Sequence, residues 1–112
     1  MQDKNIIKIF DNKNIRTIWN EEEEKYYFSI IDVIYVLSDS NNPKNYWYTL
    51  KNRLKKDGNE TLINCKGLKL IADDGNKRFT DVMDTEGLFR LIQSISSPKA
   101  EPFKMWLATI GN

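Results

Sequence analysis

The chain has 112 residues, a formal net charge of +1 and one cysteine. One domain is the expectation for this length, and a lone cysteine excludes a disulfide framework and favours a reducing, cytoplasmic location. There is no histidine, which excludes a Ser-His-Asp triad or a Cys-His dyad built from this chain alone. No apolar run is long enough to predict a membrane span, and the polar N-terminus lacks the shape of a signal peptide.

The charge is unevenly distributed along the chain. Four consecutive glutamates stand at positions 21–24, whereas residues 44–78 contain nine basic and only four acidic side chains. A basic segment of this kind is typical of a surface that meets an anionic partner.

The first third of the chain predicts three antiparallel strands in a meander, separated by two turns. Strands and turns alternate over residues 6–10, 11–14, 15–19, 20–24 and 25–28. We interpret the acidic second turn as a solvated hairpin tip; an acid cluster that repels nucleic acid or binds a cation is the alternative. Ser29, followed three residues later by Asp32, has the pattern of a reciprocal capping box. It predicts the start of a helix that is apolar nearly all round and central to the core.

A second helix is predicted over residues 44–56 and ends at Asp57-Gly58. Trp47, Leu50 and Leu54 recur at i, i+3 and i+7, which predicts a face directed at the core. The other side of the helix is basic and also carries a tyrosine and an asparagine: Lys44, Tyr48, Lys51, Asn52, Lys55 and Lys56. Either these lysines only solvate an amphipathic helix, or the helix contacts phosphate groups and enters a groove of nucleic acid.

A β-hairpin is predicted over residues 66–72 and 77–83, because Asp-Gly between two β-forming runs is a strong hairpin signal. Lys69, Lys77 and Arg78 make this hairpin basic. It is either an ordinary surface hairpin or an element that approaches DNA as a wing does.

Two helices are predicted to close the chain. Asp84 or Thr85 is expected to cap the first, and residues 96–98 form the joint between the two. The second is expected to begin at Glu101 or Pro102, since a proline deeper in a helix removes a hydrogen bond, and to end at Gly111. Each helix has one apolar stripe: Leu88, Leu91, Ile92 and Ile95, then Phe103, Trp106, Leu107 and Ile110. The fold expected is α+β: a small antiparallel sheet or meander and a β-hairpin, packed with about four helices in a single domain.

The sequence offers little catalytic equipment, so we expect no enzyme, no metal and no cofactor. The five glycines are scattered and form no phosphate-binding loop. Asp81, Asp84 and Glu86 with Lys77 would need to converge for a magnesium-dependent nuclease, and helix caps or strand ends explain these acids better. Cys65 is expected to be a structural or surface thiol.

Four stretches resemble one known family. They are Ile15-Arg16-Thr17-Ile18, Phe28-Ser29-Ile30-Ile31-Asp32-Val33, Glu86-Gly87-Leu88-Phe89-Arg90-Leu91-Ile92 and Ser97-Pro98-Lys99-Ala100-Glu101-Pro102-Phe103-Lys104-Met105-Trp106-Leu107. Over roughly residues 14–110 the chain resembles the Bro-N domain, the N-terminal domain of the BRO family and of many prophage antirepressors. It departs from the family pattern in the aromatic and basic run at 46–54 and in Pro102.

The resemblance implies a DNA-binding module of phage or mobile-element origin that takes part in transcription regulation. Residues 1–112 would then form one Bro-N-like domain and the N-terminal part of a longer protein. The partner would be DNA, expected to be double-stranded, and a repressor protein or a second copy in a homodimer are further possible partners.

We expect three groups of DNA-binding residues. Phosphate contacts are assigned to Lys44, Lys51, Lys55 and Lys56, and base-edge or sugar contacts to Tyr48, Asn52 and Arg53. A second phosphate-facing element comprises Lys69, Lys77 and Arg78, with Lys13 and Arg16 as weaker candidates. The alternative from another class is a protein-interaction module that grips a repressor, with Tyr27, Tyr46 and Tyr48 as exposed anchors.

Overall fold

The structure, a computed structural model, describes residues 4–58 and 60–110. Within these residues the strands are β1 (Lys4–Phe10), β2 (Lys13–Asn20), β3 (Lys25–Ser29), β4 (Cys65–Ile71) and β5 (Lys77–Asp84). The helices are α1 (Ile30–Ser38), α2 (Pro43–Lys56), α3 (Thr85–Ile92) and α4 (Ala100–Ile110), with a short 3-10 helix over Glu60–Asn64. The expected α+β class is therefore confirmed. The predicted helix end at Gly111 falls outside the described residues.

The five strands form one antiparallel sheet in the order β1-β2-β3-β5-β4. The predicted meander and the predicted hairpin are both present, but they are joined, because β3 pairs with β5 and places Phe28 opposite Met83. Both residues are fully buried, so the pairing gives hydrogen-bond partners to backbone groups that water does not reach. The hairpin thus extends the meander, and α1 and α2 lie in the long connection between β3 and β4.

The first turn is tighter than the sequence indicates. Only Asp11 and Asn12 lie between β1 and β2, and Asn14 already pairs with Ile9. Both turn residues have positive φ, 53° and 63°. This is typical of two-residue hairpin turns whose twist matches the flanking strands, and Asp and Asn adopt it readily.

The main core lies between the sheet and the helices, and α1 is at its centre. The prediction for this helix is confirmed, since five of its nine residues are buried: Ile30, Val33, Ile34, Val36 and Leu37. A second, smaller cluster packs Ile18, Tyr27, Leu70 and Val82 together. Along β5, Val82 of the small cluster directly precedes Met83 of the main core, and successive strand side chains point to opposite faces. The two clusters therefore lie on opposite faces of the sheet.

An ion pair connects β2 to the start of α1. Ser29 caps the helix as expected, with its Oγ accepting from the Asp32 N–H, but the Asp32 carboxylate binds Arg16. Asp32 Oδ2 accepts from the Arg16 N–H at 2.9 Å and from Nε at 2.8 Å, and Oδ1 accepts from Nη2 at 3.2 Å. The capping box is consequently only half formed, because the guanidinium offers the carboxylate stronger, charge-assisted hydrogen bonds.

The residues of both predicted stripes pack into the core, although α3 ends at Ile92 and Ile95 lies beyond it. Leu88, Leu91, Ile92, Ile95, Phe103 and Leu107 are buried, while Trp106 and Ile110 pack against the core from partly buried positions. Ser97 joins the pair to the core, since its Oγ donates to the Leu37 carbonyl at 2.5 Å and accepts from the Lys99 N–H at 3.0 Å. The second helix begins at Ala100, earlier than expected. Pro102 falls in its first turn, where backbone N–H groups have no intrahelical partner.

Gly87 is required by the close approach of α3 to the 3-10 helix. A Cβ at this position would lie 2.7 Å from the Asn64 Cβ and 3.3 Å from the Met83 Cβ. We expect Gly87→Ala to lower the free energy of unfolding by about 1–2 kcal/mol, because overpacking outweighs the better helix propensity of alanine.

Urea denaturation measures this change. Gly67→Ala is the matched control, because the nearest atom to its added Cβ is Phe79 Cδ1 at 3.9 Å, an ordinary contact. We expect the control to unfold close to the wild-type midpoint. A Gly87→Ala protein as stable as the wild type would show that the approach of α3 is not tight.

Candidate nucleic-acid interface

The basic helix ends at Lys56 as predicted and begins one residue earlier than predicted, at Pro43. Asn42 caps it, with Oδ1 accepting from the Asn45 N–H at 3.1 Å, and Pro43 occupies the first turn. The predicted apolar face is confirmed, since Trp47, Leu50 and Leu54 are all buried in the main core. The charged face of α2 is therefore left to solvent.

Asp81 of β5 anchors this helix to the sheet. Its Oδ2 accepts from Trp47 Nε1 at 2.7 Å and from Lys51 Nζ at 2.9 Å. Burial alone would raise the pKa of Asp81, but these hydrogen bonds and the charge of Lys51 outweigh it and leave the pKa below its ordinary value. The helix is thereby fixed beside β5, with Lys51 committed to an internal ion pair.

The β4–β5 hairpin presents cations around an exposed aromatic ring. Lys69 lies opposite Phe79 in the register, and Ile71 lies opposite Lys77. Lys69 Nζ stands 5.3 Å from the centroid of the Phe79 ring, and the ring itself is 75 % exposed. The alternation of strand side chains places Lys77 and Phe79 on the same face as Asp81, the face that α2 packs against. Arg78, in contrast, is paired with Asp74 at the hairpin tip.

A groove separates the start of α2 from β5. It has a volume of about 700 Å³, and its lining includes Tyr35, Asn41, Lys44, Arg78 and Phe79. The basic helix and the basic hairpin, which were predicted separately as DNA-contacting elements, therefore line one concave surface.

The ion pairs of the protein distinguish free cations from structural ones. Among the described residues, Lys13, Arg16, Lys51 and Arg78 each pair with a carboxylate, of Asp39, Asp32, Asp81 and Asp74 respectively. No ion pair to a described carboxylate is formed by six cations of α2 and the hairpin: Lys44, Arg53, Lys55, Lys56, Lys69 and Lys77. These six remain available to an anionic partner.

The structure divides the predicted site residues between the two flanks of α2. Lys44, Tyr48 and Lys55 form the flank that continues from Lys51 towards β5, while Asn52 and Lys56 point outward to solvent. Arg53 lies on the other flank, where it lines a shallow pocket of about 390 Å³ with Tyr46, Thr49 and Ser94. Arg53 is thus apart from the groove between α2 and β5, which Lys44 and Arg78 line.

Two further expectations are changed by the structure. The prediction of Tyr27 as an exposed anchor is wrong: its side chain is 4 % exposed, its hydroxyl donates to Glu23 Oε2 at 2.7 Å, and Lys66 stands over its ring. Glu23 also accepts from Lys66 Nζ at 2.7 Å, so the acidic turn is partly folded onto β4 and is not wholly solvated.

The three acids considered for a magnesium site each have a separate role. Asp81 holds α2, Asp84 caps α3 and accepts from Lys25, and Glu86 pairs with Arg90. Among the described residues, no group of three Asp, Glu, His or Cys side chains converges to hold a metal ion.

Phe79 and the groove beside it were not nominated from the sequence. Its strand reads Lys77-Arg-Phe-Thr-Asp-Val-Met, in which a phenylalanine looks like an ordinary core residue. The one sequence signal for its exposure is strand alternation, which puts Phe79 on the same face as the charged Asp81. A charged residue at that position indicates that the core does not extend along this face to the hairpin tip.

Cys65 is a protected thiol. Burial, with a smaller contribution from the nearby charge of Asp81, raises its pKa to about 11. The thiolate is the nucleophile, so alkylation by iodoacetamide at pH 8 should be slow in the native protein and roughly 100-fold faster in urea, where the pKa returns to about 9.0. Because the pKa is higher in the folded state, the contribution of Cys65 to the free energy of unfolding should be constant below about pH 9 and should be lost as the pH rises towards 11. Equal alkylation rates in the two states would contradict the burial of this thiol.

No helix within residues 4–58 and 60–110 is both long and apolar enough to cross a bilayer. The family model described as the BRO family, N-terminal domain (Bro-N) matches residues 14–110. No curated protein and no solved structure matches the chain significantly. The family match extends over most of the chain, from β2 to the end of α4, and includes the helix, the hairpin and the groove between them. The chain therefore belongs to the BRO family, as an N-terminal Bro-N domain.

Proposed function

We propose that this chain is a non-enzymatic DNA-binding module of a cytoplasmic transcription regulator, of the antirepressor type found in phages and other mobile elements. The observation that carries the proposal is the concentration of cations without ion pairs on α2 and the β4–β5 hairpin. Lys44 and Lys55 on the helix flank, with Lys69 and Lys77 on the hairpin, would contact phosphate groups of duplex DNA. Membership of the Bro-N family supports the same conclusion.

The contacts of each side chain indicate its role in the proposed DNA-binding site. Lys51 holds its helix through Asp81, so its role would be to position the basic flank and not to contact phosphate. Tyr48 is 67 % exposed beside Lys44 and Lys55 and would contact a sugar or a base edge, as would Asn52. Phosphate contacts supply most of the affinity, whereas sequence preference comes only from the contacts to base edges.

The test is the salt dependence of DNA binding. Neutralising about four phosphates should give log K a slope of roughly −3.6 against log salt concentration, so the affinity should fall about 150-fold between 50 and 200 mM salt. Fluorescence anisotropy of a labelled duplex measures this slope. Binding that is absent at 50 mM salt, or that is insensitive to salt, would refute the proposal.

A protein partner is the second candidate, and it would use the other flank of α2. Tyr46 and Arg53 line the shallow pocket there, and aromatic and arginine side chains are enriched among residues that dominate protein interfaces. The two functions are separable, because substitutions at Lys55 or Lys77 would weaken DNA binding and leave capture of a repressor intact. Arg53→Ala would weaken capture of a repressor and leave DNA binding intact.

A further inference from the structure

Phe79 is unusual among the aromatic residues of the sheet. Two residues further along the same face, Asp81 is half-buried under α2, and Met83, two residues beyond that, is fully buried. The helices thus cover this face only as far as Asp81, and the Phe79 ring extends beyond them. A single exposed apolar side chain has no meaning by itself. The surroundings of this one are what matter.

The ring stands between a cation and a groove. Lys69 Nζ lies 5.3 Å from its centroid, and Lys77 is its neighbour on the same face. The groove that Phe79 lines has a volume within the roughly 300–1,000 Å³ typical of small-ligand sites. Its lining also includes a second aromatic, Tyr35, and the exposed amide Asn41, a side chain able to hydrogen-bond the edge of a base. Three carboxylates line it as well, and two of them are neutralised by ion pairs, Asp32 with Arg16 and Asp81 with Lys51.

We propose, on the basis of the DNA binding proposed above, that Phe79 stacks on an unpaired base of the bound DNA and that this base enters the groove between α2 and β5. An aromatic ring on a sheet, with cations beside it for the flanking phosphates, is the arrangement that proteins use to bind unstacked bases. The module would accordingly prefer DNA with an unpaired base over fully paired duplex.

The charge around the ring favours a base over an apolar side chain of a protein partner. On the face that carries Phe79, its neighbours are Lys77 and Asp81 along β5 and Lys69 directly across on β4, with Ile71 diagonally across. Charged side chains therefore border the ring, and a continuous apolar patch does not. Lys44, Lys69 and Lys77 have no carboxylate partner among the described residues. They would be desolvated without compensation beneath an apolar partner, whereas the phosphates on either side of a stacked base would neutralise them.

The experiment compares two duplexes of the same sequence, one fully paired and one with a single unpaired 2-aminopurine. The wild type should bind the second more tightly and change the fluorescence of the 2-aminopurine as the ring stacks on it. Phe79→Ala should lose roughly 5- to 150-fold of its affinity for that DNA, the range for removal of one base-aromatic stack. Phe79→Trp should keep both the affinity and the fluorescence change.

Two controls separate this role from the others. Met105→Ala removes an equally exposed apolar side chain from α4 and should bind both duplexes as the wild type does. The salt slope of Phe79→Ala should equal that of the wild type, because a stacking ring releases no counterions.

The outcomes distinguish the two proposals. Salt-dependent binding of both duplexes that Phe79→Ala leaves unchanged would overturn the stacking role and retain DNA binding. A lower salt slope in Phe79→Ala would also overturn it, because the residue would then act through the phosphate contacts. If neither duplex is bound, the proposed function fails and the stacking role fails with it.

Discussion

Simultaneous Lys44→Glu, Lys55→Glu and Lys77→Glu substitutions are expected to abolish DNA retardation by this protein at 100 mM salt. Each removes a cation without an ion pair from the surface shared by α2 and the hairpin and replaces it with a charge that repels phosphate. Any residual binding at lower salt should have a slope that is less steep by about 2.7, which corresponds to the loss of three phosphate contacts. Electrophoretic mobility shift or anisotropy with a duplex measures both quantities.

The matched control carries the same change of charge on other surfaces. Lys4→Glu, Lys8→Glu and Lys104→Glu lie on β1 and α4, away from the groove. We expect this variant to keep most of its affinity, because only long-range repulsion changes and salt screens it. Equal losses in the two variants would mean that net charge alone, and not the α2–hairpin surface, governs binding.

The choice of residues depends on the ion pairs. Lys51 would have been a natural target from the sequence alone, because it lies between Lys44 and Lys55 on the same flank of the helix. A glutamate at that position would face Asp81 and disturb the anchor of α2. Loss of binding in such a variant would then report unfolding of the helix contact and not a missing phosphate contact.

Asp32→Asn is expected to lower the free energy of unfolding by about 2–3 kcal/mol, somewhat less than the about 3–5 kcal/mol that follows the breaking of a wholly buried pair. The substitution keeps the size of the side chain but removes the charge that holds Arg16. The new amide also directs its N–H₂ group, a hydrogen-bond donor, at the guanidinium or the N–H of Arg16, which are donors themselves. Since the Asp32 side chain is 19 % exposed, water replaces only part of the lost interaction.

Glu86→Gln is the control, because Glu86 is also an acid in the first turn of a helix. Its side chain is 67 % exposed and pairs with Arg90 at 3.1 Å, so its neutralisation should cost only about 0.3–0.5 kcal/mol. Thermal or urea unfolding of the two variants makes the comparison. Similar losses would mean that both carboxylates act mainly through the helix dipole and that the connection of β2 to α1 contributes little.

The motifs that identify the family are mostly structural. Arg16 and Asp32 belong to two different motifs, and the structure brings them together as one ion pair. Gly87 allows α3 to approach Asn64, and Ser97 donates to the carbonyl of Leu37. The recognisable residues thus maintain the geometry of the fold. The candidate binding residues lie on α2 and the hairpin, between the second and third of these motifs.

Local chemistry made most of the elements predictable. Apolar periodicity predicts the stripes of α2, α3 and α4, and Ser29 predicts the start of α1. Likewise, Asp-Gly predicts the β4–β5 turn, in which Gly75 has a φ of +84°. These features depend on residues that are close in sequence, so each can form within a single helix, strand or turn.

Long-range pairing decided the remainder. Whether a lysine is free depends on which carboxylate the fold brings to it, and Asp81 lies thirty residues from Lys51. The exposure of Phe79 depends on where α2 stops covering β5, which no pattern within the strand records. The sequence alone therefore determined the elements, the absence of histidine chemistry and the basic character of residues 44–78. Only the tertiary structure decided which of those cations lack an ion pair to a described carboxylate, and that α2 and β5 border one groove with an exposed aromatic ring. Both depend on contacts between distant parts of the chain.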